Sequence, residues 1–536
     1  MPSLHCCAQR LLHIFLLLLS GAVAIAGESQ QHDLVVATTA GKIRGTAGAA
    51  GGARFLGIPF AEPPVGSLRW HPPVEPQAWV GIRDATTFGA PCAQAVSGEW
   101  NRTAAENGVE DCLYLNVISG QWPARKRLPV MVWIHGGGNS GGTASGEFYN
   151  DGTLTRQGVL LVTLNYRLGV FGFFAHPELT RESPQHASGN YALMDQIAAL
   201  KWVQQNIAAF GGDPQNVTVF GQSAGALNVG LLMTSPLARG LFQRAIAQSG
   251  SVLFDPEGAP LTKMERAGES LAALLGVSGD GAIPALRKRS AAELLSAIAH
   301  PRTGSGDSLG FNPTIDGWVI PRRPIEVFAA GGAAPVSFML GYNARELEFP
   351  APADEQRKRV AEVFGPFATQ AWKLYGLADG GEGASDALYG TLSNQITSDM
   401  YFRCPAALIA SWQVRAHQRA YLYQFERAIP GQENVGAVHS AELPYVFGSF
   451  PKTGNLAGRF TKVDFALADE LQGYWAQFAH SGNPNRVGAP HWPEVGQSAE
   501  LIRFTVDARV QPQSGGVRGA FCSLYNQAIE ERLKHH

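Results

Sequence analysis

Net charge is nearly absent from this sequence, and its absence excludes several classes of partner. The 536 residues carry 42 Lys and Arg against 44 Asp and Glu, which gives a formal net charge of -2. Proteins that bind nucleic acid or an anionic membrane through their overall field need a strong basic excess. We therefore expect neither partner. The hydrophobic fraction of 45% is that of an ordinary globular protein with a large core.

Metal-binding patterns and long apolar runs are missing as well. No Cys-x-x-Cys or His-rich spacing suggests a zinc site, so we expect no metal. The apolar run at residues 11–19 is shorter than the roughly 20 residues of a membrane span. It follows Arg10 and precedes Ala24-Ile25-Ala26, which is typical of a secretory signal peptide (residues 1–26) cleaved after Ala26. An uncleaved anchor is the alternative.

The predicted mature chain, residues 27–536, contains few cysteines and no internal repeat or clear linker. Cys6 and Cys7 precede the apolar run and are badly placed for lipid attachment. The four others are Cys92, Cys112, Cys404 and Cys522. An even number in an exported chain suggests two disulfides. The length alone allows two domains, but without a linker we predict a single one, in a secreted or periplasmic protein.

Strands and helices alternate along the chain. Residues 129–134 are entirely apolar, which is typical of a strand covered on both faces. Residues 159–165 are predicted to form a second buried strand, and residues 191–207 carry apolar side chains at helical spacing. This alternation predicts an α/β fold with a large, mostly parallel central sheet flanked by helices. Residues 261–310 are predicted to form helical insertions that cap the carboxyl edge of the sheet.

A Gly-x-Ser-x-Gly sequence at residues 221–225 lies directly after the strand-forming residues 217–220, and a helix-forming run follows it. This is the context of a nucleophile elbow, a tight turn that exposes a serine hydroxyl at the carboxyl end of the sheet. The two glycines allow the strand and the helix to approach closely. The motif alone is common by chance, but its flanks identify Ser223 as a candidate nucleophile.

A serine nucleophile needs a base, an acid that orients the base, and donors for the oxyanion. His135-Gly136-Gly137-Gly138 follows a buried strand, as does the loop that supplies backbone N–H groups in α/β-hydrolases. We predict Gly137 and Gly138 as donors, with Ala224 as the third. A plain flexible loop is the alternative, since Gly141-Gly142 lies close by.

The base and the acid are sought in the order of this fold, which is Ser, acid, His. Among 14 histidines, His439 stands out because it follows a predicted strand that ends at Phe425. A carboxylate after the strand at residues 336–340 is expected to orient it, and both Glu346 and Glu348 qualify. Position alone does not decide between them, and a carboxylate in such a place is often only a solvated loop charge.

Taken together, these motifs resemble the type-B carboxylesterase/lipase family, the cholinesterase-like α/β-hydrolases, in its exported bacterial form. The resemblance extends over nearly all of the mature chain. Its specific stretches are residues 55–73, 110–116, 135–138, 165–169, 189–213, 217–225, 248–251, 313–317 and 439–448. It implies an α/β-hydrolase fold with helical cap insertions.

The resemblance also assigns roles to individual residues. It selects Glu346 over Glu348, because the family's acid lies in a Gly-x-x-x-x-Glu stretch after a strand. The implied catalytic triad is Ser223, Glu346 and His439. The residues implied beside the triad are Ser249 and Glu442. The implied disulfides are Cys92–Cys112 and Cys404–Cys522.

Two residues depart from the family pattern. The residue before the family's serine is usually glutamate, and here it is Gln222, which removes a negative charge near His439. We expect a weaker pull on the imidazolium without loss of function. The triad glutamate is usually followed by glycine, and here Leu347 follows Glu346.

Three residues are predicted to border the substrate pocket. Trp100 lies in the loop that the first disulfide closes, where cholinesterases carry a tryptophan that binds quaternary ammonium by a cation–π contact. The acidic residue of those relatives is replaced by Ser97, so we predict an apolar wall in preference to an ammonium site. Phe349 is a second wall candidate, and Leu309 is expected at the acyl pocket.

The sequence therefore predicts an exported serine carboxylic-ester hydrolase that works through an acyl-enzyme, acts on a small-molecule ester and needs no cofactor. A cholinesterase-like hydrolase, a lipase and an acyltransferase of the same fold are the alternatives. A non-catalytic adhesion protein of this fold would lack a triad member, and none is missing from the sequence.

Overall fold

The structure is a computed structural model that describes residues 34–534, except residues 147, 151, 256, 300–309 and 452–455. Two expectations from the sequence, the signal peptide at residues 1–26 and the pocket residue Leu309, lie outside the described residues. Within the described ranges, no helix is long and apolar enough to cross a lipid bilayer.

Strands and helices follow one another along the described chain. The strands are β1 (Val35–Ala37), β2 (Lys42–Arg44), β3 (Thr46–Ala47), β4 (Ala53–Pro59), β5 (Ile82–Asp84), β6 (Tyr114–Ser119), β7 (Leu128–Ile134), β8 (Leu160–Leu164), β9 (Gly212–Gln222), β10 (Arg244–Gln248), β11 (Ala259–Pro260), β12 (Thr314–Ile315), β13 (Ser337–Asn343), β14 (Ala420–Phe425), β15 (Leu501–Phe504) and β16 (Val510–Gln513). The α-helices are α1 (Arg102–Glu106), α2 (Gly169–Phe173), α3 (Pro177–Glu182), α4 (Tyr191–Asn206), α5 (Ala224–Thr234), α6 (Leu261–Leu274), α7 (Ala282–Arg287), α8 (Ala291–Ala299), α9 (Pro324–Ala329), α10 (Ala353–Phe364), α11 (Ala368–Tyr375), α12 (Leu392–Ser398), α13 (Cys404–Arg415), α14 (Leu443–Phe447), α15 (Lys462–Ser481) and α16 (Gly519–Lys534).

A mixed sheet of 11 strands forms the centre of the fold, in the order β16-β15-β14-β13-β10-β9-β7-β8-β6-β4-β3. The strands from β8 to β15 in this order run parallel to one another. The strands at the two edges, β3, β4, β6 and β16, pair antiparallel. Every residue of β7, β8 and β14 is buried, which explains why their sequences are mostly apolar without alternation. The predicted large, mostly parallel sheet is confirmed.

The carboxyl ends of the parallel strands carry the residues that the sequence singled out. Strand β9 ends at Gln222 beside Ser223, β7 ends just before His135, and β13 ends shortly before Glu346. Ligands of open α/β sheets bind at this edge. Helices α6, α7 and α8 lie within the insertion that the sequence predicted as helical.

Two disulfides tie distant or irregular segments to the body of the fold. One joins Cys92 to Cys112 and closes the loop that contains α1. The other joins Cys404 to Cys522, which are 118 positions apart, and links the first residue of α13 to the C-terminal helix α16.

Candidate active site

Ser223 lies on a sharp turn between strand β9 and helix α5. Its φ of 57° and ψ of -125° fall outside the regions that residues with a side chain normally adopt. The packing around the turn holds this strained backbone in place. A Cβ added to Gly225 would lie 2.1 Å from the carbonyl oxygen of Ile134, so only glycine permits this approach of helix to strand. The turn has the geometry of a nucleophile elbow.

His439 and Glu346 meet at the same edge of the sheet. His439 Nδ1 lies 2.6 Å from Glu346 Oε2, and the Glu346 side chain is fully buried. The backbone N–H of Asn343 donates to Glu346 Oε1 at 2.7 Å. An ionised carboxylate in this position keeps the proton of a neutral imidazole on Nδ1 and leaves Nε2 as an acceptor. Glu348, the alternative acid, instead accepts a hydrogen bond from Thr391 Oγ1 at the surface.

The other ring nitrogen of His439 is in contact with Gln222. Gln222 Nε2 lies 3.1 Å from His439 Nε2, so the amide donates to the imidazole when Nδ1 carries the proton. Among the described residues, no hydrogen bond joins Ser223 Oγ to His439. The sequence suggested that Gln222 influences His439 only through a missing charge, whereas the structure brings the two side chains into direct contact.

The loop at residues 135–142, called the glycine loop below, lies against the elbow. Gly137 and Gly138 have positive φ angles of 111° and 64°, which glycine adopts without steric cost. A Cβ added to Gly136 would lie 3.0 Å from Ser223 Cβ, so the loop and the serine are neighbours.

Backbone donors of the glycine loop are available to a ligand. Within the described part of the chain, the N–H groups of Gly137 and Gly138 have no hydrogen-bond acceptor. Ala224 is the first residue of α5, where N–H groups lack an intrahelical partner. These three N–H groups, all predicted as oxyanion donors, are therefore unengaged among the described residues.

His135, the first residue of the glycine loop, is buried and anchors the loop through its ring and its backbone carbonyl. Its Nδ1 lies 2.8 Å from the carbonyl oxygen of Gly136, and its ring stacks on Tyr166 with centroids 4.4 Å apart. The hydroxyl of Tyr166 donates to the His135 carbonyl at 2.7 Å. Burial lowers the pKa of His135 to about 4, so the imidazole is neutral at physiological pH. His135 is part of the scaffold of the loop.

Trp100 packs on the glycine loop, while the other predicted pocket residue does not. A Cβ added to Gly141 or Gly137 would lie 2.9 Å or 3.2 Å from the Trp100 ring. The residue is nevertheless 61% exposed, so it offers an open apolar face beside the backbone donors. Phe349 is 40% exposed, and among the described residues it makes no ring contact with the site.

A buried polar cluster lies beneath the triad residues. Glu442 is fully buried and accepts hydrogen bonds from Asn343 Nδ2 at 2.8 Å and from Gln248 Nε2 at 3.3 Å. Burial, with the nearby charge of Glu346 in addition, raises the pKa of Glu442. The backbone N–H of Ser249 donates to the Gly341 carbonyl at 2.8 Å, and its own hydroxyl is buried without a partner among the described residues.

Sequence reasoning missed several residues of the site. Gln94 accepts a hydrogen bond from the Gly142 N–H at 2.9 Å and fastens the disulfide-closed loop to the glycine loop. Asn343 contacts both buried carboxylates, Glu346 and Glu442. A polar residue that ends the otherwise apolar strand β13 was the available signal for Asn343. Nothing in the local sequence distinguishes Gln94 from a solvated loop residue.

A sequence model of the carboxylesterase family matches residues 32–516. The chain belongs to the carboxylesterase family. Strand order and family together confirm the predicted α/β-hydrolase fold and the predicted enzyme class, a carboxylic ester hydrolase.

Named relatives of this carboxylesterase cover most of its length. Fumonisin B1 esterase of Sphingopyxis macrogoltabida is 37% identical over 90% of this chain and 88% of the relative. Human cocaine esterase is 34% identical over 90% of this chain and 89% of the relative. Para-nitrobenzyl esterase of Bacillus subtilis is 37% identical over 86% of this chain and 92% of the relative. A solved structure of PNB esterase superposes with a TM-score of 0.77 at 32% identity and covers 91% of this chain and 100% of that one.

Proposed function

We propose that this carboxylesterase hydrolyses its substrates through a triad of Ser223, His439 and Glu346. The observation that carries the proposal is the 2.6 Å contact between His439 Nδ1 and Glu346 Oε2. It orients a base at the edge of the sheet where the strained serine turn lies. Ser223 needs such a base because a serine hydroxyl is a weak nucleophile at neutral pH.

Acylation begins when Ser223 Oγ bonds to the ester carbonyl carbon and its proton passes to His439 Nε2. The carbonyl electron pair moves onto oxygen, and the oxyanion accepts hydrogen bonds from the N–H groups of Gly137, Gly138 and Ala224. When this intermediate collapses, the bond to the leaving oxygen breaks. His439 gives its proton to that oxygen, which releases the alcohol and leaves the acyl group on Ser223.

Deacylation repeats these steps with water as the nucleophile. His439 Nε2 takes a proton from water while the water oxygen bonds to the acyl carbon, and the same N–H groups hold the second oxyanion. Collapse breaks the bond to Ser223 Oγ, which takes the proton back from His439, and the carboxylic acid leaves. Glu346 stays ionised throughout and stabilises the imidazolium. These steps require no cofactor.

Gln222 is proposed to act as a positioning residue. Its amide occupies His439 Nε2, the nitrogen that must receive the serine proton, so this contact has to yield before Ser223 can donate. Glutamine also carries no charge, and it therefore stabilises an imidazolium less than glutamate would. Ser249 and Glu442 are proposed to support the triad from the buried side.

The substrate is proposed to be a small-molecule ester that places an apolar group beside Trp100. Contact of the exposed Trp100 ring with the glycine loop supports this position. Phe349 and Leu309 stay proposed as further walls. The relatives' names refer to fumonisin B1, cocaine and para-nitrobenzyl esters, which differ from one another, so membership of the family does not select the substrate.

We also propose that residues 1–26 are a signal peptide and that residues 27–536 form a single exported domain. The charged start, apolar run and small residues before Gly27 support the cleavage site. The two disulfides fit an oxidising compartment, the periplasm or the exterior. Sequencing of the exported protein should find Gly27 as its first residue, and an intact Met1 would contradict the proposal.

The test of the nucleophile is Ser223→Ala assayed with p-nitrophenyl butyrate. We expect kcat to fall by roughly 10³-fold or more with an unchanged circular dichroism spectrum. Ser270→Ala, on the surface helix α6, is the matched control and should behave as the wild type. Near-normal activity of Ser223→Ala would refute the mechanism. Adding methanol and measuring the methyl ester against the free acid separates a hydrolase from an acyltransferase.

A further inference from the structure

One irregular turn lies between helices α12 and α13, next to the proposed triad. Residues Asp399–Arg403 form a π-helical turn between Ser398, the last residue of α12, and Cys404, the first residue of α13. Such turns insert one extra residue into a helix, re-aim its side chains and are frequent at functional sites. Residues 398–403 are called the brace below.

The brace contacts the backbone of Glu346 and Ala344 and the ring of His439. Ser398 Oγ accepts a hydrogen bond from the backbone N–H of Glu346 at 3.1 Å. Arg403 Nη2 donates to the carbonyl oxygen of Ala344 at 3.0 Å. The Phe402 ring lies 5.4 Å from the His439 ring, between centroids. Three side chains of one short segment therefore hold the backbone before Glu346 and a face of His439.

A chain of buried charges connects the brace to the C-terminal part of the protein. Asp399 forms ion pairs with Arg403 and, at 2.7 Å, with Arg518 Nε. Only 1% of the Asp399 and Arg403 side chains and 10% of the Arg518 side chain are exposed. The Tyr389 ring lies against both guanidinium groups, 4.7 Å from Arg403 and 5.2 Å from Arg518.

Stability alone is a weak explanation for this ion-pair chain. Desolvating two cations and one anion costs about as much as their attraction returns, and apolar replacements of buried ion pairs are often neutral or better. Arg403 Nε and Arg518 Nη2 are also buried without a partner among the described residues. An arrangement with such costs is better explained by fixing a geometry than by stabilising the fold.

The brace is anchored to the C-terminal helix at two points. Cys404 directly follows it and is bonded to Cys522 of α16. Arg518 directly precedes α16, has a left-handed φ of 53° and donates from Nε to Asp399 Oδ2 at 2.7 Å. One anchor is ionic and attaches at Asp399, and the other is covalent and attaches at Cys404, so the brace is held near both of its ends.

We propose that the brace, fixed by Arg518, is a positioning element. It holds Glu346 and His439 in the relative orientation that proton transfer requires. This inference rests on the proposed triad. If the acid shifts, the imidazole loses its orientation toward the nucleophile, and the loss falls on the chemical step and leaves the binding of the ester unaffected.

The experiment compares Arg518→Gln with Arg415→Gln. Both substitutions remove an arginine from the contact of the C-terminal helix with the brace or with α13. Arg415, however, pairs with Glu530 at the surface, and its side chain is more than half exposed. Active sites are counted by titration with a fluorophosphonate, so that inactive molecules do not enter kcat. We expect Arg518→Gln to lower kcat per active site roughly tenfold with KM nearly unchanged, and Arg415→Gln to change neither.

Ser398 supplies a second, smaller perturbation in case Arg518→Gln does not fold. Ser398→Ala should lower kcat per site severalfold at constant KM, and Ser398→Thr, which retains the hydroxyl, should restore it. Equal kcat per site in Arg518→Gln and Arg415→Gln, or an unchanged kcat in Ser398→Ala, overturns the proposal. A fully active Ser223→Ala would refute the proposed triad. An inactive Ser223→Ala together with normal kcat in the brace variants would refute only the role of the brace.

Discussion

Gln222 Nε2 lies 3.1 Å from His439 Nε2, so the resting base is engaged by the residue next to the proposed nucleophile. The amide can donate to Nε2 only while the imidazole is neutral, because an imidazolium presents a proton there. The contact therefore favours the resting tautomer and opposes the protonated one. An anionic side chain at the same position would do the reverse.

Gln222→Glu is the first prediction. A carboxylate beside His439 favours the imidazolium, so the acidic limb of the kcat/KM profile should move to higher pH. The measurement is kcat/KM for a neutral ester across pH 4 to 9. Gln205→Glu on the exposed face of α4 adds the same charge at a distance and should leave the profile in place. Identical profiles for wild type and Gln222→Glu would show that the two positions are electrostatically uncoupled.

Glu346→Gln tests the acid and settles the choice that the sequence left open. The amide no longer holds the required tautomer of His439, so we expect kcat to fall by about 10³- to 10⁴-fold with a small effect on KM. Glu348→Gln is the matched control, since Glu348 contacts Thr391 at the surface. If Glu348→Gln is the more damaging change, Glu346 is not the triad acid.

His135 should make the protein sensitive to acid. Its pKa is lowered to about 4 by burial, below the value of about 6.5 in the unfolded chain. A depressed folded pKa gives stability that is present above pH 6.5 and is lost as pH falls toward 4. The difference amounts to roughly 3 kcal/mol in the free energy of unfolding.

Urea unfolding at pH 7 and at pH 4.5 measures this effect. The wild type should lose more stability between the two pH values than His135→Asn does, whatever the constant cost of that substitution. His186→Asn, at an exposed position, should lose as much free energy of unfolding between the two pH values as the wild type does. An equal loss of stability between pH 7 and pH 4.5 in all three proteins would mean that His135 does not stay neutral in the folded state.

Trp100→Ala should change KM for esters with a large apolar group more than it changes kcat. Loss of the exposed ring beside Gly137 removes apolar contact with the ester, so KM should rise about 5- to 20-fold for a benzyl ester and little for a methyl ester. Phe349→Ala removes another exposed ring, which makes no ring contact with the site among the described residues, and is the comparison. A larger effect from Phe349→Ala would move the pocket wall away from Trp100.

Local sequence patterns predicted the sheet and the nucleophile elbow, whereas the assignment of Glu346 and His439 as acid and base depended on the family resemblance. Buried parallel strands such as β7 and β8 are mostly apolar without alternation, and the elbow is specified by adjacent glycines. The contact of Gln222 with His439 spans 217 positions, and that of Asp399 with Arg518 spans 119. Such pairings depend on how helices pack on the sheet, and each residue alone has the pattern of an ordinary polar position.

Acylation of Ser223, the step on which the proposed mechanism depends, can be detected by mass spectrometry. The enzyme is mixed with p-nitrophenyl acetate, quenched with acid within milliseconds, digested and examined by peptide mass spectrometry. We predict one acetyl group on the peptide that contains Ser223, its disappearance on longer incubation, and no such group in Ser223→Ala. Acetyl transfer to another residue, or turnover by wild type without any acylated Ser223, would show that Ser223 is not the nucleophile.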